Sequence, residues 1–279
     1  MKKRAGILFF FLLFIISCTR NAHSLEDSMV QITFFDIGKA DSFLLQTKNS
    51  NVLIDTGEEK DGIEIAKYMH ENNIQRLDYL IITHFDKDHV GGAPIILEQF
   101  QVEQVIHTYA SKTSSHYEKY LEALSKQTIS PLILEDPLSF SLNSVQFKIL
   151  PPGKTSYEEK ESNNSSLVVL VSNKNTSFLF TGDSYEERID ELLSLDLPQC
   201  QVLKLPYHGK FIPNLPDLLE KINPQYGIIT CSKKNPPSEE TIALLNEKGI
   251  KIYLTEEGDI VSISTGENVT MEQIPLLSN

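Results

Sequence analysis

Cysteine is scarce in this 279-residue chain: Cys18, Cys200 and Cys231 are the only three, and the first closes an N-terminal apolar run. So few thiols exclude a disulfide scaffold. Positive charge is also short, with 25 Lys and Arg against 38 Asp and Glu, a net charge of −13. Setting aside Lys2, Lys3 and Arg4 of the N-terminal segment takes that from −13 to −16. Non-specific attachment to nucleic acid works by Lys/Arg counterion release, so that class is excluded. An enzyme acting on nucleic acid through a metal-screened site is not. The apolar run Ile7–Ile16 is ten residues, half of the ~20 needed to span a bilayer. After Val30 there is no long low-complexity linker and no solenoid-type repeat.

What is present is a normal share of apolar residues, 41% hydrophobic with 23% charged. That is enough for a buried core in one large or two small domains. Met1 to Arg4 is basic and precedes the apolar run, as in a secretory leader. Ile15-Ile16-Ser17-Cys18 resembles the bacterial lipobox, in which the leader is removed and the Cys acylated. The alternative is an ordinary signal peptide cut nearer Ala22–Ser24. Either implies export. The expected layout is a lipoprotein leader over 1–18, a polar tether over 19–29 and one domain over 30–275.

Within that domain strand-like and helix-like segments interleave. Strands are expected at Gln31–Phe35, Phe43–Leu45, Val52–Ile54, Leu77–Thr83, Val145–Leu150, Leu167–Val171, Ser177–Phe180, Val202–Leu205, Tyr226–Thr230, Ile252–Thr255 and Ile260–Ser264. Helices are expected at Ile63–Asn72, Ala93–Phe100, Tyr117–Ser125, Glu186–Leu195, Leu215–Lys221 and Thr241–Lys248. Two similar halves suggest packed sheets with helices outside, an α/β arrangement.

The residues with metal-ligand chemistry gather at strand ends. Thr83-His84-Phe85-Asp86-Lys87-Asp88-His89 follows the apolar strand Leu77–Ile82, and a spacing of two puts His84 and Asp86 on one side of extended chain. Thr181-Gly182-Asp183 ends a second strand and Pro206-Tyr207-His208-Gly209 a third. Three His and three carboxylates without a thiolate suit Zn, Mn or Fe rather than a structural cysteine-zinc site. Alone, Asp183 reads as a helix cap and His208 as an ordinary histidine; the conjunction carries the metal reading. His23, His70, His107 and His116 read as ordinary histidines.

These segments resemble the metallo-β-lactamase superfamily, and within it the ComEC-type competence-protein hydrolase domain. That branch has His-x-Asp-x-Asp-His, present as His84, Asp86, Asp88 and His89. Asp36-Ile37-Gly38-Lys39-Ala40-Asp41 is similar to its opening Asp-Val-Gly-Gln-Gly-Asp, and Asp55-Thr56-Gly57 to its Asp-Thr-Gly. Asn163 to Val168 is similar to its Asn-x-x-Ser-Leu-Val. The resemblance implies an αββα sandwich and two divalent ions, Zn or Mn. His84 and Asp86 would hold one ion, helped by Asn163 or a neighbour; Asp88, His89 and His208 would hold the other, with Asp183 bridging. Asp55 would orient a ligand. A metal-bridging hydroxide would be the nucleophile and Asp88 its proton acceptor. The chain departs from the pattern at Lys39-Ala40, Tyr207, Lys210 and Pro236-Pro237, in loops that ring the site.

The function so implied is an exported, lipid-anchored phosphodiesterase or nuclease. Its partners would be a phosphodiester such as DNA and, through acylated Cys18, the membrane; no protein partner is indicated. A hydrolase of another ester or amide (lactone, β-lactam) and a non-catalytic metal-holding module are the alternatives. Lys210, two residues after His208 where the branch has Ser, is a candidate contact to phosphate.

Overall fold

The computed structural model describes residues 25–275. The basic segment, the apolar run, Cys18 and residues 19–24 of the expected tether, His23 among them, lie outside the described residues. Residues 27 and 28 are tied to the fold: Asp27 pairs with Lys48 at 2.9 Å and Asn173 donates to the Ser28 carbonyl at 2.8 Å.

The first half runs β1 (Val30–Phe34), β2 (Phe43–Gln46), β3 (Asn51–Ile54), α1 (Glu59–Glu71), β4 (Arg76–Ile82), α2 (Lys87–Val90), α3 (Ala93–Gln99), β5 (Gln101–Thr108), α4 (Ser115–Lys126) and β6 (Leu132–Leu134). The second half runs β7 (Leu138–Leu142), β8 (Val145–Leu150), α5 (Glu161–Asn164), β9 (Val168–Asn173), β10 (Thr176–Phe180), α6 (Glu186–Ser194), β11 (Val202–Lys204), α7 (Leu215–Ile222), β12 (Tyr226–Ile229), α8 (Glu239–Glu247) and β13 (Lys251–Leu254). The hairpin β14 (Gly258–Ser264) and β15 (Val269–Pro275) closes it.

One sheet has the order β15-β14-β1-β2-β3-β4-β5-β6 and the other β13-β12-β11-β10-β9-β8-β7. Each changes from antiparallel to parallel partway across. In the first, β3 through β6 are parallel; in the second, β10 through β13 are. The C-terminal hairpin leaves the second half and pairs with β1 in the first sheet, with Val30 opposite Ser264 and Phe34 opposite Ile260.

Three hydrophobic layers follow from the alternation of side chains along these strands. Between the sheets, Ile32, Phe34, Phe43, Ile54, Ile81, Val169, Phe178 and Phe180 are buried. The opposite face of the first sheet (Leu44, Leu53, Leu80, Ile82) packs on Ile65, Met69, Ile96 and Tyr120 of its helices. The opposite face of the second (Val168, Leu179, Leu203, Ile229) packs on Ile189, Leu218, Leu219 and Leu245. Parallel strands covered on both faces read as continuous apolar runs, as Leu80-Ile81-Ile82 does. The result is the expected αββα sandwich.

Differences from the sequence expectation have local causes. Helix α1 begins at Glu59, four residues before the expected start, because Asp61 accepts from the Glu58 amide at 2.9 Å and closes the first turn. The edge strands β6, β7 and β15 escape sequence reading, as does the interior strand β5, where Glu103 and Gln104 interrupt the apolar positions. β6 has three residues, while β7 and β15 leave no residue fully buried along their length. Without a buried stripe such edges show no apolar period.

Candidate metal centre

The loops that carry the candidate ligands leave the C-terminal ends of β3, β4, β10 and β11, where open α/β sheets present their binding crevices. Asp55 follows β3, and His84 to His89 follow β4. Asp183 follows β10, and His208 sits in the 3₁₀ turn Pro206–Gly209 after β11. The backbones are pinned together: Asp41 N donates to Asp88 O at 3.0 Å and Thr56 N to His89 O at 2.7 Å. Asp55, Tyr207 and His208 have φ of 56°, 48° and 52°. Such left-handed backbone costs a non-glycine residue of order 1 kcal/mol, so the surroundings hold these residues in place. Gly182, at φ 54°, lies where a Cβ would come within 2.9 Å of Ser166. Only glycine lets that turn approach His84's neighbour.

The imidazoles of His84, His89 and His208 are buried, and each leaves its Nε2 without a hydrogen-bond partner. Their other nitrogens are anchored. Asp55 Oδ2 lies 2.8 Å from His89 Nδ1 and also accepts from Thr83 Oγ1 at 2.7 Å. Thr230 Oγ1 sits 2.9 Å from His208 Nδ1 and donates to Asp41 Oδ1 at 2.6 Å. Thr83 and Ser166 hydroxyls lie 3.2 and 3.3 Å from His84 Nδ1. Holding one ring nitrogen this way aims the other.

The free nitrogens converge on Asp183. Its Oδ1 is 3.6 Å from His89 Nε2 and its Oδ2 3.1 Å from His208 Nε2. Asp88 Oδ2 lies 3.7 Å from His208 Nε2. Ligand atoms of His84, His89 and Asp183 lie within 4.8 Å of one another; so do those of Asp88, His89 and His208, and those of Asp41, Asp183 and His208. Buried imidazole nitrogens left unpaired around shared carboxylates are expensive unless something binds them. The imidazole-nitrogen and carboxylate-oxygen set suits a divalent ion, which would displace a proton from His89. The residues therefore fit the metals that the resemblance implies.

Charges in the cluster are strongly coupled. Burial opposes ionisation of Asp183, but His208 and His89 outweigh it and hold the carboxyl well below its ordinary range. Burial also opposes a charge on His89, yet Asp183 and Asp55 raise it well above the usual imidazole value. Burial and the neighbouring His89 push His84 down to about 3. Asp88 is lowered despite its burial, chiefly by His89 and Lys39. Burial raises Asp55, with His89 pulling the other way.

Three expected site residues stand differently. Asp86 Oδ2 is 4.0 Å from His84 Nε2, but its Oδ1 is taken by Lys112 and Ser162. Asn163 donates its amide nitrogen to Asp183 Oδ2 at 3.1 Å, a contact to the carboxylate that would bridge the ions. Lys210 is exposed and donates to the Pro236 carbonyl at 2.7 Å. Asp41 and Ser166 lie in the motifs read from the sequence without a role assigned to them, and Lys204, Thr230 and Lys112 were not singled out. Lys204 had a signal: a lysine inside the apolar run Val202-Leu203-Lys204-Leu205. It is fully buried, with its ammonium paired to Asp41 Oδ2 and 3.8 Å from Asp183 Oδ1.

The family model of the metallo-beta-lactamase superfamily matches residues 36–232, which span every one of these loops. The chain belongs to that superfamily. ComE operon protein 3 of Bacillus subtilis (strain 168) is 26% identical over 274 residues, covering 90% of this chain and 34% of its own length. Endoribonuclease ysh1 of Aspergillus fumigatus is 23% identical over 179 residues, covering 56% of this chain and 20% of its own. The chain thus spans about a third or less of the length of these relatives, which include competence proteins of the ComEC type. Among solved structures, the metallo-beta-lactamase fold protein YhfI from Bacillus subtilis superposes with a TM-score of 0.55 at 11% identity. It covers 88% of this chain and 100% of that one, a likeness of fold. Members of the superfamily are hydrolases as a rule, and this chain carries candidate His/Asp ligand groups for a divalent metal.

Proposed function

We propose that the protein is an exported, lipid-anchored phosphodiesterase or nuclease that uses two divalent ions, Zn or Mn. The observation that carries the hydrolytic reading is the convergence of the buried Nε2 atoms of His84, His89 and His208 on Asp183 and Asp88. Phosphodiester chemistry is supported by the endoribonuclease relative. Export and anchoring rest on the leader and Cys18.

His84 and Asp86 would hold one ion, Asp88, His89 and His208 the other, and Asp183 would touch both. Bound there, the ions supply Lewis acidity that acidifies a water and neutralises charge on the phosphoryl oxygens. The protein's own contribution is positioning. Asp55 fixes His89, Thr230 fixes His208, and Thr83 with Ser166 fixes His84. Phe34, Phe43 and Phe180, with ring centroids 5.3 to 5.8 Å apart, make an apolar floor, and Lys204 Nζ lies 6.0 Å over the Phe43 ring. Asp88, whose Oδ2 lies 3.7 Å from His208 Nε2, would be the proton acceptor for the attacking water.

The deciding experiment loads the purified protein with Mn²⁺ or Zn²⁺ and assays bis(p-nitrophenyl) phosphate, DNA, RNA, a lactone and a β-lactam, each with and without chelator. Chelator-sensitive cleavage of the diester or of a nucleic acid is expected. Turnover of the lactone or β-lactam alone would replace the reading with the other hydrolase class. No turnover with metal bound would leave a metal-holding module.

A further inference from the structure

A phosphodiester reaching this centre approaches Asp86, Asp88 and Asp183 in a chain of net charge −13. Beside the metal ions, a protein cation at the opening would help to receive it. Lys204 lies beneath the cluster, fully buried and paired with Asp41, beyond a substrate's reach. Lys210 has its ammonium on the Pro236 carbonyl.

Two other lysines stand at the opening. Lys39, between β1 and β2, places Nζ 2.7 Å from Asp88 Oδ2 with 39% of its side chain exposed. Lys112, between β5 and α4, places Nζ on Asp86 Oδ1 and 3.4 Å from Ser162 Oγ, with 36% exposed. The two carboxylates of the His84–His89 segment thus each pair with a partly exposed lysine, delivered by separate loops. An ammonium has three N–H donors. Lys39 gives one to Asp88, and Lys112 is shared between Asp86 and Ser162, so neither is saturated. The carboxylates hold both stems over the site instead of letting them wander in solvent, which lowers the entropy lost when an anion arrives. Lys39 also stands where the resembled pattern has Gln, so this cation is a feature of the chain itself.

We propose that Lys39 and Lys112 form an anion clamp at the mouth of the site, gripping the non-bridging oxygens of a phosphodiester from two sides. The clamp deepens the phosphodiesterase reading and rests on it for its substrate. Compact lysine ammoniums act here as point charges, a common way to bind phosphate.

The test uses Mn²⁺-loaded protein and inorganic phosphate as the probe, with calorimetric binding as the primary readout. Lys39→Gln and Lys112→Gln should each weaken phosphate binding roughly tenfold, the size of one charge-assisted hydrogen bond. Lys39→Arg and Lys112→Arg should stay within about threefold of wild type. Lys210→Ser should stay within about twofold. Metal content by elemental analysis should match wild type in every variant, and for diester substrates KM should rise more than kcat falls. Phosphate affinity unchanged in both Gln variants would overturn the clamp, as would affinity lost in step with metal content. Should wild type bind phosphate through these lysines yet cleave no phosphodiester, the clamp stands and the catalytic reading falls.

Discussion

Lys204→Met tests whether the buried charge beneath the cluster holds it together. Lys204 and Asp41 have no solvent exposure; the ammonium is paired with Asp41 Oδ2, donates to the Gly182 carbonyl at 3.2 Å and sits 3.8 Å from Asp183. Methionine fills much the same stem volume, so the cavity contribution is small and the loss is electrostatic. Asp41 then stays buried without its directly paired cation, with His89 Nδ1 4.0 Å away. Removing one member of a buried pair costs about 3–5 kcal/mol, against total domain stabilities of about 5–15 kcal/mol, so the variant folds with a reduced margin. Asp41→Asn strands the lysine in the same way and should cost a similar amount, although Asn keeps an acceptor for Thr230. The double variant leaves no orphaned charge. Its cost should fall short of the sum of the singles by about 2 kcal/mol or more, within the range for directly contacting residues. Urea unfolding of chelator-treated protein near neutral pH reads all four corners of the cycle. A loss under about 1 kcal/mol for Lys204→Met, or a cycle additive to about 0.5 kcal/mol, would refute the argument that this pair carries charge balance for the site.

His107 gives a pH prediction. Burial pushes its imidazole from 6.5 down to about 4, with the ring packed on Phe85 and Nδ1 3.2 Å from the Tyr120 hydroxyl. Because the folded value is depressed, the unfolded chain binds the extra proton between those values, and stability drops as pH falls from about 6.5 to about 4. At ~1.4 kcal/mol per unit over about 2.5 units, the loss approaches about 3 kcal/mol. His107→Gln should flatten the acid limb of unfolding free energy against pH by that amount, and parallel curves would refute it. Asp183→Ala should lower the content of both ions in elemental analysis, since its two oxygens face different histidines; loss of neither ion would remove its bridging role. Cys18→Ala should move the protein out of the detergent phase in phase partitioning, and retention there would exclude the acyl anchor.

The sequence by itself determined what depends on neighbours along the chain. Apolar runs such as Leu80-Ile81-Ile82 marked the buried parallel strands, and turn segments with a ligand after each strand marked His84, Asp88, His89, Asp183 and His208. Strand direction and loop position are local properties, so residue types at fixed spacing carried that information. The tertiary structure alone decided the pairings. Thr230 reaches Asp41 across 189 residues to hold His208. Lys112 lies in a loop with no motif and takes one oxygen of Asp86 away from the ligand set. Lys210 is near His208 in sequence yet turns to Pro236. The edge strands β7 and β15 exist because a neighbour offers its hydrogen bonds, not because their residues alternate toward a core. Ion pairs and sheet edges are contacts between segments far apart in the chain. Their energies depend on where the fold brings those segments together, and no local pattern encodes that distance.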